Sequence, residues 1–137
     1  MATFKSDKAQ AAVPARYLHT GAVTEVCTYT TSALLSAGDV VQLMKVDPGA
    51  RVVAIQSKSS DNLAYAIGDG VDSNRYFETA SVSTTQNIAL ANIGYEYTAA
   101  DTVDLIYAGG AALTAQTIQA IVTVTYDGNE WHRRYYP

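Results

Sequence analysis

Apolar and polar residues alternate along most of this chain, and turn-forming residues interrupt the alternation every ~8–15 residues. The clearest run is TIQAIVTVTY (117–126). There Ile118, Ala120, Val122, Val124 and Tyr126 alternate with Gln119, Ile121, Thr123 and Thr125. A period of two sends the first set into a core and leaves a Thr-rich face outward. TVDLIYA (102–108) puts Val103, Leu105 and Tyr107 on one face, and GAVTEVCTYT (21–30) is rich in strand-forming Val, Thr and Tyr. GDVVQLMKVDPGARVVAIQS (38–57) reads as an opening strand pair, Asp39 to Val46 and Arg51 to Ser57, around the tight reversal Asp47-Pro48-Gly49-Ala50. LAYAIGDG (63–70) and RYFETA (75–80) flank a glycine and aspartate loop, and IALANIGYEYT holds a further short strand. Ser81 to Ala91 has no clear period. Turns of helix are expected near 32–37 and 85–92, and AGGAALTAQT (108–117) reads as a loop. Seven or eight short strands without a sustained helix predict an all-β fold, an antiparallel β-sandwich. Eight strands suit a jelly roll, and an immunoglobulin-like sandwich fits the same pattern.

The pattern is absent at both ends, which divides the chain into an N-terminal arm (1–20), a sandwich domain (21–126) and a C-terminal tail (127–137). Pro14 interrupts the arm, which reads as extended with at most a short turn of helix. The tail, DGNEWHRRYYP, interleaves Trp131, Tyr135 and Tyr136 with His132, Arg133 and Arg134. Burying three aromatic side chains is worth about 15 kcal/mol gross, and ordering eleven backbone residues costs a similar ~11–22 kcal/mol. The tail therefore gains order only against a covering surface. Trp, Tyr and Arg dominate binding hot spots, so docking on a neighbouring subunit or a larger partner is expected, with packing on its own domain as the alternative.

Charge refines this picture. The sequence carries a net −4 over 137 residues, 48% of them hydrophobic and 16% charged, the profile of a folded globular chain. Lys5, Lys8 and Arg16 face only Asp7 in the first twenty residues, whereas residues 21–126 hold four Lys/Arg against ten Asp/Glu. An acidic body repels phosphate, which excludes nucleic acid as the main partner. The basic arm suits an acidic protein surface, or simply keeps itself solvated. The expected contact residues are accordingly Lys5, Lys8, Arg16 and Tyr17 of the arm and Trp131, His132, Arg133, Arg134, Tyr135 and Tyr136 of the tail. No apolar run is long enough to cross a membrane, the start lacks the apolar segment of a signal peptide, and a single cysteine forms no internal disulfide. Synthesis in a reducing cytoplasm follows as the expectation.

No chemistry emerges from the reactive residues. His19 and His132 lie in opposite ends outside the sandwich, whereas catalysis or metal binding needs a rigidly held histidine. Cys27 sits within a strand and reads as a buried, inert thiol. Asp69, Asp72 and Asn74 gather oxygen ligands in one loop but lack the alternation and terminal glutamate of a calcium loop, so a turn capping its own backbone is the better reading. Asp101 and Asp104 point to opposite faces of a strand, and Gly109-Gly110 opens no phosphate-binding helix. The expectation is no catalytic residue, no metal and no cofactor.

Three phrases, VVQLMKVDPGARVVAIQS, AIGDGVDSNRYFETAS and YEYTAADTVDLIYAGGAALTAQTIQAIVTVTY, together resemble small phage head proteins that decorate or cement a capsid. The resemblance covers roughly residues 38–126 and carries no catalytic signature. It implies a non-enzymatic jelly-roll sandwich on the capsid exterior of a virion, clamping neighbouring major capsid subunits. A rigid body with several modest contacts, multiplied in a homo-oligomer (dimer or trimer), suits that role. The rival is a carbohydrate-binding jelly-roll module for host attachment, its tail aromatics stacking on sugars.

Overall fold

The computed structural model describes residues 3–10, 21–30, 36–78, 83–88, 90, 94–110 and 117–126. Among these residues eight strands follow one another: β1 (Thr3–Lys5), β2 (Gly21–Thr30), β3 (Val40–Val46), β4 (Ala50–Asp69), β5 (Phe77–Glu78), β6 (Ser83–Ile88), β7 (Asp101–Gly110) and β8 (Thr117–Tyr126). At ~3.3 Å per residue, the 20 residues of β4 would extend about 66 Å, longer than a domain of this size is wide. The strand therefore turns a corner, and each half serves a different sheet.

The first half of β4 (residues 50–59) lies between β8 and β6, and β2 completes that sheet on the far side of β8. The second half (63–69) lies between β7 and β5, with β3 beyond β7. The two sheets are thus β2-β8-β4-β6 and β3-β7-β4-β5, all neighbours antiparallel, and β1 adds a short parallel edge to β3. Below they are called the β8 sheet and the β7 sheet. Counting β4 twice, the chain visits the two sheets in jelly-roll order, the architecture expected from the pattern. At the corner, Lys58 pairs with Thr85 while the next pair is Leu63 with Ser83, so β4 bulges where it changes sheet. The hydroxyls of Ser57 and Tyr65 hydrogen-bond across the bend.

One core fills the space between the sheets. Val23, Cys27, Val52, Ile55, Ile118, Ala120, Val122 and Val124 from the β8 sheet meet Val41, Leu43, Met44, Val46, Tyr65, Ile67, Val103, Leu105 and Tyr107 from the β7 sheet. The inward residues of β8 are those the alternation named. Its outward set is half-buried or exposed.

Several local expectations change. The reversal at Asp47-Pro48-Gly49 exists, with Gly49 at φ 94° and Ala50 N–H donating to Asp47 C=O at 3.1 Å. It joins no hairpin, however, because β3 pairs with β7 and β4 begins in the opposite sheet. Turn chemistry marks a reversal, not which sheet the chain enters next. Residues 83–88 form a strand where a helical turn was expected, and 94–100 form a loop where a strand was expected. Of the described residues 75–78, Phe77 and Glu78 pair with β4, and 79–80 lie outside the described residues. Residues 3–10 do not extend away from the body. Phe4 packs on Tyr29 with ring centroids 5.6 Å apart, Ser6 and Ala9 are buried, and Ser6 N–H donates to Gln42 C=O at 2.8 Å. Asp7 bonds Thr28 twice, its N–H to the Thr28 carbonyl (3.0 Å) and its Oδ1 to the Thr28 N–H (2.8 Å). This turn bridges the edges of both sheets, and neither the composition nor the charge of the arm signals it.

Candidate assembly surface

Three connections meet at one end of the sandwich: the 47–49 turn, the 70–76 loop and the 94–100 loop. A polar network ties them together. Tyr76 donates its hydroxyl to Tyr97 (2.8 Å), Tyr97 donates to Asp69 Oδ2 (3.0 Å), and Arg75 Nε donates to the same oxygen at 2.5 Å. Asp69 Oδ1 accepts the backbone N–H groups of Val71 (3.0 Å) and Asp72 (2.8 Å). The Arg75 guanidinium lies 3.6 Å from the centre of the Tyr95 ring, which meets Tyr97 edge-on. Gly49 and Ala50 exchange backbone bonds with Tyr97, at 2.7 and 3.0 Å. Burial opposes ionisation of Asp69, but the bonds from Arg75, the two backbone amides and Tyr97 hold its carboxyl below the usual range. Burial likewise pushes the Tyr76 phenol up to about 12 and raises Tyr97, so both act as neutral hydroxyls. Asp69 and Asn74 thus serve a turn, Asp69 by capping its own loop and Asn74 by donating to Glu78 at 2.8 Å. Among the described residues, no group of His, Cys, Asp and Glu is arranged to hold a metal.

The 70–76 loop also covers part of the outer side of the β7 sheet. A Cβ on Gly68 would sit 2.1 Å from the Asp72 carbonyl oxygen, so the loop backbone rests directly on the strand. Asp104, the register partner of Gly68 and Gln42, is 5% exposed and accepts the Thr102 hydroxyl at 2.6 Å. Burial pushes its carboxyl up to about 7, with Asp101 and Asp69 adding to the rise and Thr102 opposing it.

The outer side of the β8 sheet is built differently. Its outward positions are Ala22, Thr24, Val26, Thr28 and Thr30 on β2, Thr117, Gln119, Ile121, Thr123 and Thr125 on β8, and Arg51, Ala54, Gln56 and Lys58 on β4. Val26 and Ile121 are direct register partners, 43% and 36% exposed. A register shift between Val52 and Ala54 leaves two successive residues, Val53 and Ala54, turned outward, Val53 41% exposed. Although the chain has thirteen Asp and Glu, none occupies these positions. Thr24 and Thr123 hydroxyls bond across the strands at 3.0 Å, which fixes the surface around the apolar pair.

Lys5 is exposed on β1, and Lys8 lies 3.6 Å from Glu25. Arg16, Tyr17, His19, Trp131, His132, Arg133, Arg134, Tyr135 and Tyr136 lie outside the described residues. Cys27 is buried in the core, and its thiol is pushed up to about 12 by burial, with Asp7 and Glu25 adding, which makes it a poor nucleophile. The apolar spots on the β8 sheet were not selected from the sequence, yet each left a trace. Ile121 breaks an otherwise polar outward set, and Val52-Val53 is a doubled apolar residue in an alternating strand, the mark of a bulge.

The chain is a single jelly-roll sandwich whose two outer faces differ among the described residues: one is partly covered by its own loop at Gly68, and the other exposes Val26, Val53 and Ile121. The same fold occurs in a chain of the capsid of Ralstonia phage GP4, 16% identical with a TM-score of 0.68, covering 92% of this chain and 99% of that one. It also occurs in a chain of the Cyanophage Pam1 capsid asymmetric unit, 19% identical with a TM-score of 0.60, covering 88% of this chain and 97% of that one. No protein-family model and no curated protein matches the sequence.

Proposed function

We propose that this chain is a structural virion protein that decorates the outside of a phage capsid and stabilises it by bridging major capsid subunits. The observation that carries the reading is the extent of the fold match. Chains from two phage capsids are covered almost end to end, at 99% and 97% of their length, so each is, like this one, a single small sandwich. The internal construction supports it. The three locked loops make a stiff body, and a stiff body carrying several separate contacts converts modest local affinities into strong attachment. Gly21 and Tyr126 are register partners, so residues 20 and 127 join the body at one corner. Arg16, Tyr17, Trp131 and residues 132–136 supply contacts from that corner to the shell or to a sister copy. A homo-oligomer on the shell repeats these contacts around a symmetry axis.

The test mixes the purified protein with expanded empty shells of the phage that encodes it. Saturable binding and a rise in the heat or chaotrope resistance of the shells are expected. A folded, soluble protein that fails to bind them overturns the proposal.

A further inference from the structure

Resting on that reading, we infer that the outer face of the β8 sheet, centred on Val26, Ile121 and Val53, is the surface that docks on a shell subunit, and that it fits an apolar patch rimmed by carboxylates. Three observations on this one face converge. The apolar residues share one face: Val26 opposes Ile121 across neighbouring strands, and Val53 and Ala54 lie on the next strand at the level of Thr123, with Gln56 opposite Ile121. The register shift between Val52 and Ala54 leaves two successive residues, Val53 and Ala54, both turned outward, which widens the apolar part of this face. Finally, the body is acidic while the outward strand positions of this face carry Arg51 and Lys58 and no acid, Glu96 meeting Arg51 at the margin.

That charge distribution selects the occupant. Two copies placed face to face would set Lys58 against Lys58 or against an Arg51 that Glu96 already neutralises, so a symmetric pairing of this face gains little. A partner bearing Asp or Glu around an apolar centre satisfies both charges, Lys58 directly and Arg51 alongside its existing 3.3 Å bridge to Glu96. Four strands about 4.8 Å apart and up to ten residues long give a face of roughly 600 Å². Stable interfaces need about 800 Å² per partner, so this face supplies most of one contact and leaves the rest to the termini. Thr, Val and Ile lose little side-chain freedom on contact, which suits a flat docking surface.

The test is a footprint. The Ile121→Cys variant is labelled with a maleimide, free and bound to empty shells, while the buried native Cys27 stays silent. Val71→Cys, at the 83% exposed tip of the 70–76 loop, serves as the reference. The expected result is fast labelling of both sites in the free protein and at least tenfold slower labelling of Ile121→Cys alone on shells. Lys58→Glu is expected to weaken shell binding about tenfold. Equal labelling of Ile121→Cys on and off the shells, with Val71→Cys protected instead, overturns the inference and leaves the decoration role standing. Protection in the free protein that disappears when 127–137 are removed assigns the face to the chain's own tail, and protection that grows with protein concentration assigns it to a second copy; either overturns the inference. Absence of shell binding overturns both it and the decoration role.

Discussion

The two sheets share a core but turn different sides to solvent. The β7 sheet is partly roofed by the 70–76 loop, which covers Gly68, the register partner of the buried Asp104, and is anchored through Asp69, Arg75, Tyr76 and Tyr97. The β8 sheet leaves Val26, Val53 and Ile121 exposed on a face without acids. One side spends polar groups and a special glycine on closing itself, and the other spends neither. In a protein read as a shell component, the unfinished side is the one with room for a partner, and the finished side keeps the body stiff enough for that contact to matter.

The contrast can be broken most severely at the roof. Arg75→Met leaves the Asp69 carboxylate, whose side chain is wholly buried, without its cation, and a loss of about 3–5 kcal/mol is expected in urea unfolding. Asp104 comes next. Its folded-state value of about 7 lies above the ordinary 3.8, so the protonated form favours folding. That contribution is complete below about pH 4 and is lost as the pH rises through 7. Asp104→Asn is therefore expected to be more stable than the parent at pH 8 by about 2–4 kcal/mol, with the gap closing by pH 4. Gly68→Ala drives a Cβ into loop backbone and is expected to cost about 1–3 kcal/mol and to unroof the sheet, seen as faster amide exchange across 70–76. The smallest effect belongs to the other side. Val26→Thr with Ile121→Thr is expected to change stability by under about 0.5 kcal/mol while weakening shell binding at least tenfold. A large stability loss from that pair would mean the face is part of the core.

Much of the sandwich was legible because burial on one face of a strand writes itself as alternation. β2 and β8 emerged with their limits, and the inward residues of β7 and β8 were named correctly. The route between sheets was not legible. Asp-Pro-Gly looks alike whether it closes a hairpin or crosses the core, because the turn's dihedrals do not encode the partner strand. The 85–92 stretch misled for a related reason: STTQNI is polar, and only its pairing with β4 makes it a strand. The place of Ser6 and Ala9 was hidden too, since small residues carry little apolar signal and are buried here by a turn that bonds both sheets. As for the candidate surface, the sequence reading went to the conspicuous charges and aromatics of the termini. The apolar outward positions are single residues in separate strands, and only register brings Val26 beside Ile121.

The most direct measurement is a high-resolution image of the decorated shell. The account places Val26, Val53 and Ile121 against a shell subunit with Lys58 beside a carboxylate, and the roofed β7 sheet turned to solvent. A decorated shell in which the β7 side meets the subunits and the β8 face stands bare would contradict it.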